Sequence, residues 1–414
     1  MNDRRVVITG TGVLSCIGND STSFWNALTN GECGIDTITN CDLTGLKTQI
    51  AGEVKNFNVE DYIPLKEAKR LDRFSVFAIA ASDEAVKSAG LTDGNFDPNR
   101  FGCIVSSGIG GLSTMAEQHK KMTERGPGRI SPFLIPMMII DMNAGNISMR
   151  YNAKGPNMAI VSACSTATHS IGEAFWMLKR DDADIMLCGG SEASIIPLGL
   201  GGFCSMKAMS VRNDSPKTAS RPFDAERDGF VMSEGAGLLV LEDLEHAKAR
   251  GANILAEIIG YGATGDAYHI TSPDPEGDGL NRALKMAMGH AKVNAEDIDY
   301  INAHGTSTPL NDKFETMALK KALGDHAYKV AISSTKGHTG HGLGAAGGFE
   351  TIACANAIQN SIAPPTINYE NPDPLCDLDY IPNTAREMNI DIAVNLNLGF
   401  GGHNGALILK KYTG

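Results

Sequence analysis

One cysteine and two histidines stand where nucleophilic chemistry could be done. Cys164 lies in Asn157-Met-Ala-Ile-Val-Ser-Ala-Cys-Ser-Thr-Ala-Thr168. The apolar run Met158 to Ala163 reads as a strand. Thr168 to Leu178 has helical spacing, with Ile171, Ala174, Phe175 and Leu178 on one face. The thiol is therefore predicted at a strand-to-helix junction. There the helix dipole and free N–H groups favour thiolate and can hold the oxyanion of a thioester under attack. A cysteine among small apolar residues is also an ordinary core residue. Two distant motifs shift the balance. His304 sits in Tyr300-Ile-Asn-Ala-His-Gly-Thr-Ser-Thr-Pro-Leu-Asn-Asp312, and His341 in Ser333-Ser-Thr-Lys-Gly-His-Thr-Gly-His-Gly-Leu-Gly-Ala-Ala-Gly347. Singly, either histidine is more often a structural hydrogen-bonding residue. A nucleophile with two histidines, all in loops after strands, is a catalytic pattern.

The elements that must position these residues alternate. Strands are predicted over Arg5–Thr9, Gly102–Ser106, Met158–Ala163, Ile185–Cys188, Gly237–Leu241, Ile254–Gly262, Asp299–Asn302 and Val330–Ser333, with a hairpin of Ile392–Leu398 and Gly405–Lys411. Helices are predicted over Arg73–Ser88, Thr168–Lys179, Leu244–Ala249, Gly279–Ala291, Lys313–Leu323 and Gly344–Gln359. This alternation implies α/β layers with largely parallel strands, whose ligand sites lie past the carboxyl ends of strands. The best division falls near residue 255. Residues 1–255 then carry the cysteine and residues 256–414 the two histidines, so the site is assembled from both halves.

Composition sets limits. Of 414 residues, 42% are hydrophobic and 20% charged, which is ordinary for a globular protein. A net charge of −12 argues against bulk nucleic-acid binding. The nine cysteines form no Cys-x-x-Cys pair, which points to reduced thiols in a cytoplasmic setting rather than a disulfide framework or zinc site. The apolar run after the two N-terminal arginines breaks at Gly10 and Gly12, too soon for a signal peptide. The longest apolar stretch, Phe133 to Ile140, contains Pro136 and cannot span a membrane.

The motifs together resemble the β-ketoacyl-acyl-carrier-protein synthases, most closely the type II elongating enzymes. The resemblance rests on Cys-Ser-Thr-Ala at Cys164, Asn-Ala-His-Gly-Thr-Ser-Thr-Pro at His304, Thr-Gly-His-Gly-Leu-Gly-Ala-Ala-Gly at His341, and Gly399-Phe-Gly-Gly-His-Asn404. Ser220-Arg-Pro-Phe-Asp-Ala-Glu-Arg-Asp-Gly-Phe-Val231, Asp266-Ala-Tyr-His-Ile-Thr-Ser-Pro273 and Pro364-Pro-Thr-Ile-Asn368 agree with it. It covers about Arg5 to Lys411. It implies a thiolase-like αβαβα fold of two similar halves, a homodimer, and decarboxylative Claisen condensation of acyl and malonyl groups delivered by acyl carrier protein in fatty acid synthesis. No metal or redox cofactor is called for, because loss of CO2 drives the condensation.

The resemblance also implies roles. Cys164 takes the acyl chain. His304 and His341, neutral, donate to the thioester oxygen, and the N–H groups of Cys164 and Phe400 form an oxyanion hole. Lys336 positions the loop of His341 or pairs with Glu315. Phe400 is a gate, its freedom supplied by glycines 399, 401 and 402. Ile109 and Phe203 line the acyl pocket. Thr306 and Thr308, with Ser272, bind the phosphopantetheine arm. Lys66, Lys69, Arg70, Arg129 and Lys207 meet the acidic carrier, while a further basic family position reads Gly128. For each, ordinary loop, core or solvated-surface duty is the competing explanation.

Three positions depart from the family pattern: Asn311 stands where glycine is usual, Gly337-His338 where Ser-Met is, and Asn397-Leu398 where Ser-Phe is. They resemble ketosynthases of polyene or polyketide-like pathways and leave chain length and substrate open. A noncatalytic chain-length-factor subunit would lack the nucleophile. The thiolase C-terminal cysteine signature is absent. Val7-Ile-Thr-Gly-Thr-Gly-Val-Leu-Ser15 only superficially resembles a dinucleotide fingerprint, and His338-x-x-His341 lacks a third metal ligand.

Overall fold

The computed structural model describes residues 4–414; Met1 to Asp3, the start of the N-terminal run considered above, lie outside them. Ten strands form one mixed sheet. They are β1 (Val6–Leu14), β2 (Phe101–Ser106), β3 (Asn157–Met158), β4 (Ile185–Glu192), β5 (Gly235–Asp243), β6 (Ala256–Gly265), β7 (Tyr300–Asn302), β8 (Ala331–Ser333), β9 (Ile392–Gly399) and β10 (His403–Lys410). Their order is β8-β7-β9-β10-β6-β1-β5-β4-β2-β3.

The order contains one pattern twice. In each set of five, the third strand in chain order lies at the edge, parallel to the second, which is parallel to the fourth. The fifth strand then pairs antiparallel with both the fourth and the first. The sets join where β1 pairs antiparallel with β6, Val6 opposite Ile258. The expectation of largely parallel strands is thus corrected: five of the nine neighbouring pairs are antiparallel. The β9–β10 hairpin shows why, since an antiparallel return needs no crossover helix.

Six helices cover and separate the sheet: α1 (Arg73–Ser88), α2 (Met142–Tyr151), α3 (Thr166–Lys179), α4 (Asp278–Ala291), α5 (Pro309–Leu323) and α6 (Ala346–Asn360). Helices α3 and α6 share the central core with Ile104, Met186, Tyr300 and Leu407. The outer face of the first set packs on α1 and α2, that of the second on α4 and α5. The result is the expected αβαβα layering. A helix buried on all sides must be apolar all round, and α6 carries a single charged residue, Glu350.

The glycines of the false dinucleotide fingerprint have a packing role. A Cβ on Gly10 or Gly12 of β1 would come within 2.2 and 1.9 Å of the carbonyl oxygens of Ala85 and Ala81 in α1. Gly260 and Gly262 of β6 stand in the same relation, 2.4 and 2.0 Å, to Ala287 and Ala283 of α4. Each half uses a Gly-x-Gly strand to bring its outer helix onto the sheet.

The predicted strand Met158–Ala163 is also corrected. Only Asn157 and Met158 pair with β2. Side chains then take the backbone: Ile160 N–H donates to Ser106 Oγ at 2.9 Å and Ser162 N–H to Thr166 Oγ1 at 3.0 Å. Helices over Ser21–Thr29, Leu112–Arg125, Met142–Tyr151 and Pro197–Ser205 went unpredicted. Leu112–Arg125 buries only Thr114 and Gln118, so it has little apolar stripe to read.

Candidate active site

Cys164 lies in a 3-10 turn, Ala163–Ser165, that feeds α3. Ala163 adopts φ 52°, unusual for a residue with a Cβ. The turn is held by Ser165 Oγ donating to His403 O at 2.8 Å and by close contact with the β9–β10 hairpin. A Cβ on Gly399 would stand 2.4 Å from Ser162 O. Gly399 therefore permits a close approach rather than a swing. Of the three glycines around Phe400, Gly401 and Gly402, at φ 84° and 75°, hold backbone conformations that favour glycine.

The thiol is not a resting thiolate, as the helix terminus alone would suggest. Burial pushes it up to about 12, opposed by the charge of Lys336 and the N–H of Phe400. Desolvation of the charged form outweighs the favourable terminus. The backbone N–H groups of Phe400 and Cys164 both favour negative charge at the sulfur.

His304 follows β7 and His341 precedes α6. Their ring centroids are 5.3 Å apart, and the rings are nearly perpendicular. Both are buried. Burial first, then the charge of Lys336, hold both well below the ordinary histidine range. Nδ1 of His341 accepts from Leu343 N–H at 3.3 Å. Nδ1 of His304 faces Lys336 Nζ at 3.4 Å and Asn397 Nδ2 at 3.2 Å. These groups can only donate, so each Nδ1 is the acceptor and Nε2 carries the proton. Among the described residues neither Nε2 has a hydrogen-bond partner.

The main chain of His304 is gripped by Glu315. Its Oε1 accepts His304 N–H at 2.6 Å and its Oε2 accepts Gly305 N–H at 2.7 Å. Burial pushes that carboxyl up to about 7. Lys336 therefore does not pair with Glu315; its ion-pair partner is Glu350 of α6. Burial raises the Glu350 carboxyl and the ammonium opposes this. Sequence reasoning missed Glu350, although a lone carboxylate in a fully buried helix requires a partner.

Cys164, His304, His341 and Phe400 line one cavity of about 370 Å³, together with Phe203, Ser272, Thr306, Thr308 and Lys207. Asn311 and Leu398, two of the departures, line it as well. Thr306 and Thr308 share a hydroxyl contact of 2.9 Å. Ile109 does not line this cavity. It packs with Phe203, Leu200 and Cys164 in the apolar cluster beside it. Lys336 lies behind His304. Lys66, Lys69, Arg70 and Arg129 are exposed and outside the lining, with the Arg70 guanidinium 4.8 Å over the Phe133 ring. His338 faces away, its nitrogens 2.9 and 3.0 Å from the carbonyls of Glu32 and Pro365. Among the described residues, no three His, Cys, Asp or Glu side chains are grouped to hold a metal, and no helix is long and apolar enough to cross a membrane.

Residues 3–247 match the family model "Beta-ketoacyl synthase, N-terminal domain" and residues 255–370 match "Beta-ketoacyl synthase, C-terminal domain". The chain belongs to the β-ketoacyl synthase family. It is 52% identical over 410 residues to a 3-oxoacyl-[acyl-carrier-protein] synthase 2 of Staphylococcus aureus, with 99% of each chain covered. Among solved structures, a ketosynthase in complex with a type II polyketide acyl carrier protein superposes at TM-score 0.92 and 35% identity, covering 99% of this chain and 100% of that one. The ishigamide ketosynthase/chain length factor gives the same TM-score, identity and coverage. As a family member the chain is a condensing acyltransferase, and its layered fold is the thiolase-like fold of these synthases.

Proposed function

We propose that this β-ketoacyl synthase is a 3-oxoacyl-[acyl-carrier-protein] synthase of type II, extending acyl chains by two carbons in fatty acid synthesis. One observation carries the reading: Cys164 and two histidines with Nε2 as the protonated nitrogen, drawn from both halves, line one cavity. In the first step Cys164 sulfur bonds to the acyl carbonyl carbon, the carrier thiolate leaves, and the Cys164 proton goes to it. The N–H groups of Phe400 and Cys164 stabilise the tetrahedral oxyanion. In the second, the malonyl C–CO2 bond breaks and its electrons pass to the thioester oxygen, which accepts from Nε2–H of His304 and His341. Removing one such donor costs about 10²-fold. The carbanion then forms the C–C bond to the acyl carbon, and Cys164 leaves as thiolate.

Phe400 gates the cavity, Phe203 walls the acyl chain with Ile109 packed in the apolar cluster beside it, and Thr306, Thr308 and Ser272 bind the phosphopantetheine arm. Acyl carrier protein is the partner, docking on Lys66, Lys69, Arg70, Arg129 and Lys207; charge reversal at Lys66 and Lys69 should raise KM for the carrier substrate. The exposed edge strand β3, with Met158, Val161, Met149 and Ile135 open to solvent beside it, suits a second copy of the chain, since such edges are normally covered. A division near residue 255 fits the repeated topology, and nine unpaired cysteines fit a cytoplasmic setting. A second reading, a ketosynthase of a specialised polyene or polyketide-like pathway, is favoured by Asn311 and Leu398 lining the cavity.

Intact-protein mass spectrometry tests both, after incubation with acyl carriers of several lengths and then malonyl carrier. An adduct on Cys164 discharged as a 3-oxo product two carbons longer supports the reaction. An adduct formed only from unsaturated or oxo chains favours the second reading. No adduct with any carrier overturns both.

A further inference from the structure

We propose that Asn397, one of the three departures, is a positioning residue that holds His304 as its Nε2–H tautomer. Its amide is fully used. One Nδ2 hydrogen goes to His304 Nδ1 at 3.2 Å and the other to Glu350 Oε2 at 2.7 Å. Its Oδ1 accepts from the hydroxyl of Thr168 on α3. The amide cannot be turned over without setting its oxygen against the Glu350 carboxylate, so the group facing Nδ1 is an N–H. All four side chains are buried, where an unmatched polar group is costly.

The serine usual in the family at this position is shorter and has one hydrogen to give, so it cannot serve both His304 and Glu350. At His341 the equivalent restraint is the main-chain N–H of Leu343, which no side-chain change removes. At His304 it is delegated to Lys336 and Asn397, with Lys336 the longer contact at 3.4 Å and committed to Glu350 as well. Asn397 does not line the cavity; it acts through the histidine.

This inference rests on the reading of His304 as a donor to the thioester oxygen, and the experiment separates the two. Nitrogen-15 spectra of histidine-labelled protein report the tautomer, with the His304 signals assigned against His304→Asn. Carrier-linked malonyl decarboxylation and Cys164 acylation are timed separately. Asn397→Leu, which cannot donate, and Asn397→Asp, which offers an acceptor, should raise the Nδ1–H population, most in the aspartate variant. Decarboxylation should fall about ten-fold, the low end for losing an outer partner that orients a histidine at metal sites. Acylation should stay within about two-fold, because this hydrogen bond does not touch the thiol. Asn397→Ser should lie between, and it is the variant to read if the others fail to fold. An unchanged tautomer in every folded variant overturns the proposal. A changed tautomer with unchanged decarboxylation leaves Asn397 as the positioning residue and removes His304 as the thioester donor.

Discussion

Two turns of this molecule are built alike and do different work. In the first half the 3-10 turn Ala163–Ser165 opens onto α3; in the second, Leu343–Ala345 opens onto α6. Each begins with a residue in the left-handed region, Ala163 at φ 52° and Leu343 at φ 47°. The next residue is Cys164 in one and Gly344 in the other. Cys164 faces the cavity. Gly344 is buried, its N–H donating to Glu192 at 3.1 Å, and a Cβ there would lie 2.2 Å from Gly108 N. One turn presents a nucleophile. Its counterpart brings two backbones together and, through Leu343 N–H, orients His341. The repeated topology holds two like backbone positions, and the nucleophile stands on the one with room for a side chain.

The strongest way to break the contrast is to make the first turn resemble the second. Cys164→Gly should abolish the acyl adduct, since losing the nucleophile of a covalent catalyst costs up to about 10⁶ in rate. Mass spectrometry checks it, and a surviving adduct would place the nucleophile elsewhere. On the second turn, His341→Ala should lower malonyl decarboxylation about 10²-fold while acylation of Cys164 persists. Proton linkage sharpens this. Both rings are held well below the ordinary range by burial and Lys336, and the neutral form is the working one. The decarboxylation rate should therefore stay level as pH falls through about 6.5 and drop only beneath it. An acid limb centred at or above that value would mean the rings carry charge in the folded protein.

What the sequence made legible follows from the same contrast. Cys164, His304 and His341 could be read because each lies in a short, chemically distinctive run beside a strongly apolar element. The lone charged residue of α6, Glu350, was equally visible and went unread, because its partner Lys336 comes from a different loop and only the packing of α6 brings them together. The strand proposed over Met158–Ala163 failed because side-chain hydroxyls of Ser106 and Thr166 take the N–H groups a ladder would need. Thiolate was expected from a helix terminus alone; the burial that overrides it is set by residues from both halves. Two similar halves were implied by the family resemblance, while the residues themselves hid the repeat. Gly10 and Gly12 of β1 and Gly260 and Gly262 of β6 share a spacing, but only their matching approach to α1 and α4 reveals it.

A smaller effect tests the second turn's packing. Gly344→Ala should destabilise the fold by about 1–3 kcal/mol, the usual cost of overpacking, because the added Cβ meets backbone at Gly108 rather than a flexible side-chain end. Chemical denaturation measures it. A neutral result would mean the two backbones can separate and the turns are less alike than their dihedral angles imply.

The smallest effect concerns Ala163. A left-handed alanine costs of order 1 kcal/mol, and Ala→Gly at such a site relieves that strain. Glycine also loosens the unfolded chain by about 0.4–1 kcal/mol. The two nearly cancel, so Ala163→Gly should change stability by less than about 1 kcal/mol. The conformation is fixed from outside: by Ser165 on His403 O, by Ser162 N–H on Thr166, and by Gly399 pressed on Ser162 O. With those contacts intact the thiol should keep its place, and acylation of Cys164 should proceed at nearly the wild-type rate. If the variant folds normally but acylates slowly, alanine's stiffness at Ala163, and not the surrounding contacts, is what aims the nucleophile.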